Sequence, residues 1–96
     1  MEYKDVLQRY LTEDGILKQY PSKKPIRMIA LSYIAERFEF GRKYTEKEVN
    51  EIIKGAHSFS DHEIIRRELF SYGFMGRMRD GSSYWLEEEQ PKLDII

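Results

Sequence analysis

Between positions 62 and 82 the chain carries His62, Arg66, Arg67, Arg77, Arg79 and Ser82. A guanidinium presents a planar fork of donors that matches a guanine edge or a phosphate, and histidine and serine add shorter polar contacts. Chemistry of that kind is recognition of a polyanion. Other chemistries find less support. His57 and His62 stand five apart with no third ligand at metal spacing, so no metal site is expected. Ser58, Ser60, Asp61 and His62 include the residue types of a catalytic triad, but helix capping accounts for the serine and the aspartate, and nothing builds an oxyanion hole. There is no cysteine and no glycine-rich phosphate loop. An enzyme is therefore not expected, and neither is a cofactor.

The elements that must hold these residues follow from spacing. Tyr3, Val6, Leu7, Tyr10 and Leu11 recur at helical intervals and open the chain with a short amphipathic helix, stopped at Glu13-Asp14-Gly15. Ile16 to Tyr20 reads as a strand or an extended segment. Pro25 suits the first turn of a second helix, whose wide apolar arc runs from Ile26 to Phe38 and stops at Gly41. Thr45-Glu46-Lys47-Glu48 is a capping box that starts a third helix, with Val49, Ile52, Ile53 and Ala56 inward and Gly55 closing it. Asn50 is polar in mid-helix and is read as bonding a neighbouring loop, with contact to a partner as the alternative. Ser60-Asp61-His62-Glu63 reads as a second capping box, starting a fourth helix that ends at Gly73.

In that fourth helix Ile65, Leu69 and Tyr72 form one stripe. Glu63, Arg67 and Phe70 point nearly opposite, with Arg66 at the flank. Two readings stay open. The arginines face a nucleic acid, or Glu63 pairs with Arg67 on a solvated face. Phe70 is suited to a thymine methyl or to a protein partner. Phe74 to Met78 and Ser83 to Leu86 then read as strands around the turn signal Asp80-Gly81, with Tyr84 and Trp85 assigned to the hairpin core.

The whole chain is 96 residues, 41% hydrophobic and 34% charged, which is enough for one small domain with a modest core. No stretch nears the ~18 apolar residues of a membrane span, and no signal peptide is read at the start, so a cytoplasmic protein without a membrane partner is expected. The net charge of -1 does not advertise a nucleic-acid binder, but charge alternates along the chain. Residues 21–43 hold Lys23, Lys24, Arg27, Arg37, Arg42 and Lys43 against two acids, whereas residues 44–63 are acidic. Lys23, Lys24, Arg42 and Lys43 are candidates for backbone contacts.

The order of helix, extended segment, helix, short helix, helix and hairpin is that of a winged helix-turn-helix, an α+β fold of about four helices and a two-stranded C-terminal wing. In that architecture the last helix is offered to a major groove and the hairpin tip to the flanking backbone. The segments Tyr44 to Asn50, Asp61 to Leu69, Tyr72 to Arg77, Gly81 and Tyr84-Trp85, with Asp14 to Lys23 before them, resemble an uncharacterised bacterial domain-of-unknown-function family. The likeness covers about residues 14–86. Members of that family occur alone or behind the DNA-binding domain of transcriptional regulators, so the resemblance implies regulation and brings no catalytic residues. Leu69 and Gly73 followed by Arg77 also resemble the helix-to-wing junction of winged-helix repressors.

The expected organisation is an N-terminal helix over residues 1–13 as a candidate dimer contact, a winged-helix domain over 14–87, and a loose acidic tail over 88–96. The expected function is binding of double-stranded DNA, with His62, Arg66 and Arg67 reading the major groove and Arg77, Arg79 and Ser82 holding the backbone. A homodimer on paired half-sites would raise its affinity. The alternative is a non-catalytic protein-interaction or effector module of the same shape.

Overall fold

The computed structural model describes residues 3–93. They form α1 (Tyr3–Leu7), a 3-10 turn (Gln8–Tyr10), α2 (Lys24–Ala35), α3 (Glu46–Lys54), α4 (His62–Ser71), β1 (Met75–Arg77) and β2 (Tyr84–Leu86). Pro25 lies in the first turn of α2 as expected, and Ile29, Ala30, Leu31, Ile34 and Ala35 bury the inward face. The helix ends at Ala35, earlier than the apolar pattern implies. Its last bonds tighten to i→i+3, with the Arg37 amide on the Ile34 carbonyl (3.0 Å) and the Phe38 amide on the Ala35 carbonyl (3.1 Å). Phe38 still reaches the core, edge-on to Tyr44, and the Tyr44 hydroxyl accepts the Glu39 amide at 2.8 Å. A tertiary contact thus replaces the last turn of helix.

The capping box of α3 forms in both directions. The Glu48 amide donates to the Thr45 hydroxyl (3.1 Å) and the Thr45 amide to the Glu48 carboxylate (2.8 Å). These bonds hold the Glu48 carboxyl below its ordinary value, the bond from the Thr45 amide contributing most. The second capping box does not form. The Asp61 side chain makes no cap bond, and Ser60 is left-handed at φ 56°. The start of α4 is held from outside instead. The His57 ring accepts the Asp61 amide at Nε2 (2.9 Å) while Nδ1 meets the Ile53 carbonyl (2.7 Å), which places the ring hydrogen on Nδ1. At its other end α4 closes as expected. Gly73 is left-handed (φ 87°), its amide bonds the Phe70 carbonyl, and the Phe74 amide reaches back to Leu69 at 2.9 Å.

β1 and β2 pair antiparallel with Met75 opposite Leu86, Gly76 opposite Trp85 and Arg77 opposite Tyr84. The tip turns at Gly81 (φ 77°), whose amide bonds the Met78 carbonyl at 2.9 Å. Asp80 accepts from Ser82, and these bonds lower its carboxyl pKa. Strand alternation sends Tyr84 and Leu86 into the core and leaves Trp85 half-buried on the other face. Trp85 is therefore not core in the sense that Tyr84 is.

A third chain segment joins this sheet. Tyr44 and Tyr84 exchange both backbone bonds, at 2.8 and 2.7 Å. Leu17 likewise bridges Leu11 on one side and His57 on the other, so Ile16 to Tyr20 is an extended segment with one paired residue. Leu7 of α1, Leu17, α2, Val49, Ile53, Ile65, Leu69, Phe74 and Leu86 share one core, and Leu93 packs against its edge. Ile95 and Ile96, the apolar end of the tail, lie outside the described residues. Among the described residues no helix is long and apolar enough to cross a membrane.

Candidate nucleic-acid interface

Ile65 and Leu69 are fully buried and anchor α4 inward. The roll of the helix then decides what faces out. Arg67 and Phe70 are exposed, Phe70 at 40%, and Arg66 lies at the flank, half-buried. Arg66 donates through Nη1 to Asn50 Oδ1 of α3 at 2.5 Å, so Asn50 does make a structural bond, but to a side chain of α4 and not to a loop. Among the described residues Glu63 forms no ion pair with Arg67; the ion pairs there are Arg27–Glu68, Arg42–Glu39 and Arg42–Glu48.

The hairpin returns along α4, and its first strand brings Arg77 over the Phe70 ring, 4.8 Å from the centroid. The ring's negative face favours that cation, and the cation covers part of the exposed ring. Arg66, Arg67 and Arg77 thereby meet around one small cleft of about 180 Å³, together with Glu46, Phe70 and Tyr84. Glu46 is the counter-charge. It sits in the first turn of α3, where the helix dipole favours an anion, and accepts the Tyr84 hydroxyl at 3.1 Å. Burial raises the pKa of that hydroxyl and the Glu46 carboxylate raises it further, while Arg66 and Arg77 oppose the shift. Three cations against one anion make the junction of α4 and hairpin net positive.

The remaining candidates lie elsewhere. Arg79 and Ser82 are exposed at the hairpin tip, beyond the cleft. His62 is half-buried at the first turn of α4, beside Lys54, His57, Ser58 and Ser60. Lys23 and Lys24 start α2, and the Lys24 ammonium is 5.2 Å from the Tyr72 ring at the far end of α4. Arg42 and Lys43 lie behind the hairpin, beside Met78 and Trp85. Among the described residues no three His, Asp or Glu side chains gather to hold a metal ion.

Sequence reasoning missed the groups that hold α4 from behind. Glu68 accepts the Tyr20 hydroxyl and pairs with Arg27 at 3.6 Å, the two charged side chains being only 23% and 18% exposed. Arg27 also donates to the Ser22 carbonyl (2.9 Å) and lies 5.7 Å from the Tyr20 ring, while its Nε is buried without a partner. Burial, and then Glu68, push the Tyr20 hydroxyl far above its ordinary value. The signal was a carboxylate three residues after Ile65, beside the inward stripe, where an acid needs a partner.

Helix α2, the Tyr44 bridge, α3, α4 and the β1–β2 hairpin follow one another in the order of a winged helix-turn-helix, and the cationic cleft sits where its last helix meets its wing. The chain belongs to the bacterial family DUF2087, described as an uncharacterized protein conserved in bacteria, whose model matches residues 16–86. Comparison with curated proteins and with solved structures finds no match.

Proposed function

We propose that this domain is a non-catalytic regulator of transcription that binds duplex DNA through α4 and the hairpin. One observation carries the reading: Arg66, Arg67 and Arg77 converge at the junction of helix and wing with Glu46 as the counter-charge in their cleft. Arg67 on the outward face of α4, with His62 and Arg66 at its half-buried flank, enters the major groove, where the two arginines meet base edges and the phosphates of the groove wall. Arg77, Arg79 and Ser82 hold the adjoining backbone, as phosphate contacts do when they set register. Asn50 fixes one edge of Arg66 and leaves its other N–H groups for a base or phosphate. A module this small buries little area, so two copies on paired half-sites supply the affinity a regulator needs. The working compartment is the cytoplasm.

The test is fluorescence anisotropy of the protein with a labelled mixed-sequence duplex, titrated with salt. Binding that weakens steeply with salt and is lost in Arg66→Ala/Arg67→Ala supports the reading, and unchanged binding by that variant removes it. A second reading, a protein-interaction or effector module, draws on Phe40 and Met78, which are 60% and 49% exposed. Absence of duplex binding even at low salt would favour it.

A further inference from the structure

The face of the hairpin turned away from the core forms a second, larger and open groove, of about 590 Å³. That size is within the ~300–1,000 Å³ of small-molecule sites. Trp85 and Met78 supply an apolar lining. The indole lies across the hairpin because its ladder partner is Gly76, where a Cβ would stand 2.6 Å from Trp85 Nε1. Its Nε1 donates to Glu87 at 2.8 Å, which fixes the ring plane. Arg42 and Lys43, from the turn before α3, line the same groove, as do Glu87 and Glu88 from the chain after β2. Arg42 is set in place by its pairs with Glu39 and Glu48 and by the Tyr44 ring 4.6 Å away.

Charges of both signs are thus contributed by two separate segments to one apolar groove. A simple anion would meet the two carboxylates as well as the cations, and a simple cation would meet the reverse. A molecule carrying both charges and an apolar group satisfies all three kinds of lining. The geometry points to a binding site for a free α-amino acid with an aromatic or large aliphatic side chain. Its carboxylate is held by Arg42 and Lys43, its ammonium by Glu87 and Glu88, and its side chain lies against Trp85 and Met78. The inference is independent of DNA binding.

Trp85 is the only tryptophan in the chain, so its emission reports directly on this groove. The full chain is titrated with L-phenylalanine, with 3-phenylpropanoate and phenethylamine as comparators that each lack one charge. Excitation at the red edge selects tryptophan. L-Phenylalanine is expected to give a saturable change in emission, and each comparator to bind about fivefold more weakly, the scale of one exposed charge pair. Lys43 and Glu88 are both exposed, so their variants keep the fold, as circular dichroism checks. Lys43→Glu weakens binding by a similar factor, and Lys43→Glu/Glu88→Lys restores it. The proposal is overturned if L-phenylalanine produces no saturable change, if a comparator binds as well, or if Lys43→Glu has no effect. It is also overturned if the unliganded protein dimerises and changes Trp85 emission as it does so, which assigns the groove to a second copy.

Discussion

Replacing Arg67 and Arg77 together with glutamine removes two of the three guanidinium groups in the cleft and leaves Arg66 opposite Glu46. If Arg66, Arg67, Arg77 and Arg79 each neutralise one phosphate, log affinity falls with log salt at a slope of about -3.6, or about 150-fold between about 50 and 200 mM. The double variant keeps two such contacts, so its slope is about -1.8 and the loss over the same range is about 12-fold. Both side chains are exposed, and the stacking of Arg77 on Phe70 contributes only about 0.5–1 kcal/mol, so the variant stays folded. Glu46→Gln works in the opposite direction. It keeps an acceptor for the Tyr84 hydroxyl, removes the counter-charge and tightens binding at every salt concentration. Anisotropy with one duplex at several salt concentrations reads all three proteins. An unchanged slope in Arg67→Gln/Arg77→Gln refutes phosphate contact by these groups, whatever happens to absolute affinity.

Further perturbations address the scaffold. Because burial raises the Tyr20 pKa above the ordinary 10.0, the unfolded chain releases that proton first. The contribution is fully present below pH 10 and is lost as pH rises above it, so guanidinium midpoints fall above about pH 10, and Tyr20→Phe flattens that fall. The start of α4 separates local from distant capping. Thr45→Ala costs about 1 kcal/mol at α3, Asp61→Ala costs under about 0.5 kcal/mol at α4, and His57→Ala costs about 2–3 kcal/mol, all read by chemical denaturation. Gly76→Ala drives a Cβ into the indole, so Trp85 emission shifts to the red as the ring is displaced into water, and stability drops by about 1–3 kcal/mol. An unshifted spectrum in that variant contradicts the close approach of the indole to the strand.

Features decided within a few residues were legible in the sequence. The α3 cap spans Thr45 to Glu48, the α4 terminus spans Leu69 to Phe74, and the hairpin turn is announced by Asp80-Gly81. The stripe of Ile65, Leu69 and Tyr72 also fixed the roll of α4, with Ile65 and Leu69 buried, Tyr72 half-buried, and Arg67 and Phe70 outside. Contacts between distant segments were not legible. Ser60-Asp61-His62-Glu63 has the pattern of a cap, but Ser60 is turned left-handed, the Asp61 side chain makes no cap bond, and the Asp61 amide goes to the His57 ring, a contact the local pattern does not encode. Tyr44 forms a single strand position, too short for any periodicity, and Tyr20 meets Glu68 across 48 residues. At the candidate site the individual arginines could be picked out. Their convergence with Glu46 depends on how the hairpin returns over α4, which spacing alone does not encode.

The paired bonds between Tyr44 and Tyr84 have a mechanical meaning. They clamp the trailing arm of the hairpin between β1 and the segment leading into α3, so the base cannot swing. The Met78 amide on the Ser83 carbonyl (2.9 Å) extends the ladder, so only the four residues from Arg79 to Ser82 lie beyond it. Helix and wing base therefore behave as a caliper with fixed jaws. Under the proposed function, a duplex whose phosphates sit at another spacing would have to bend to meet both jaws.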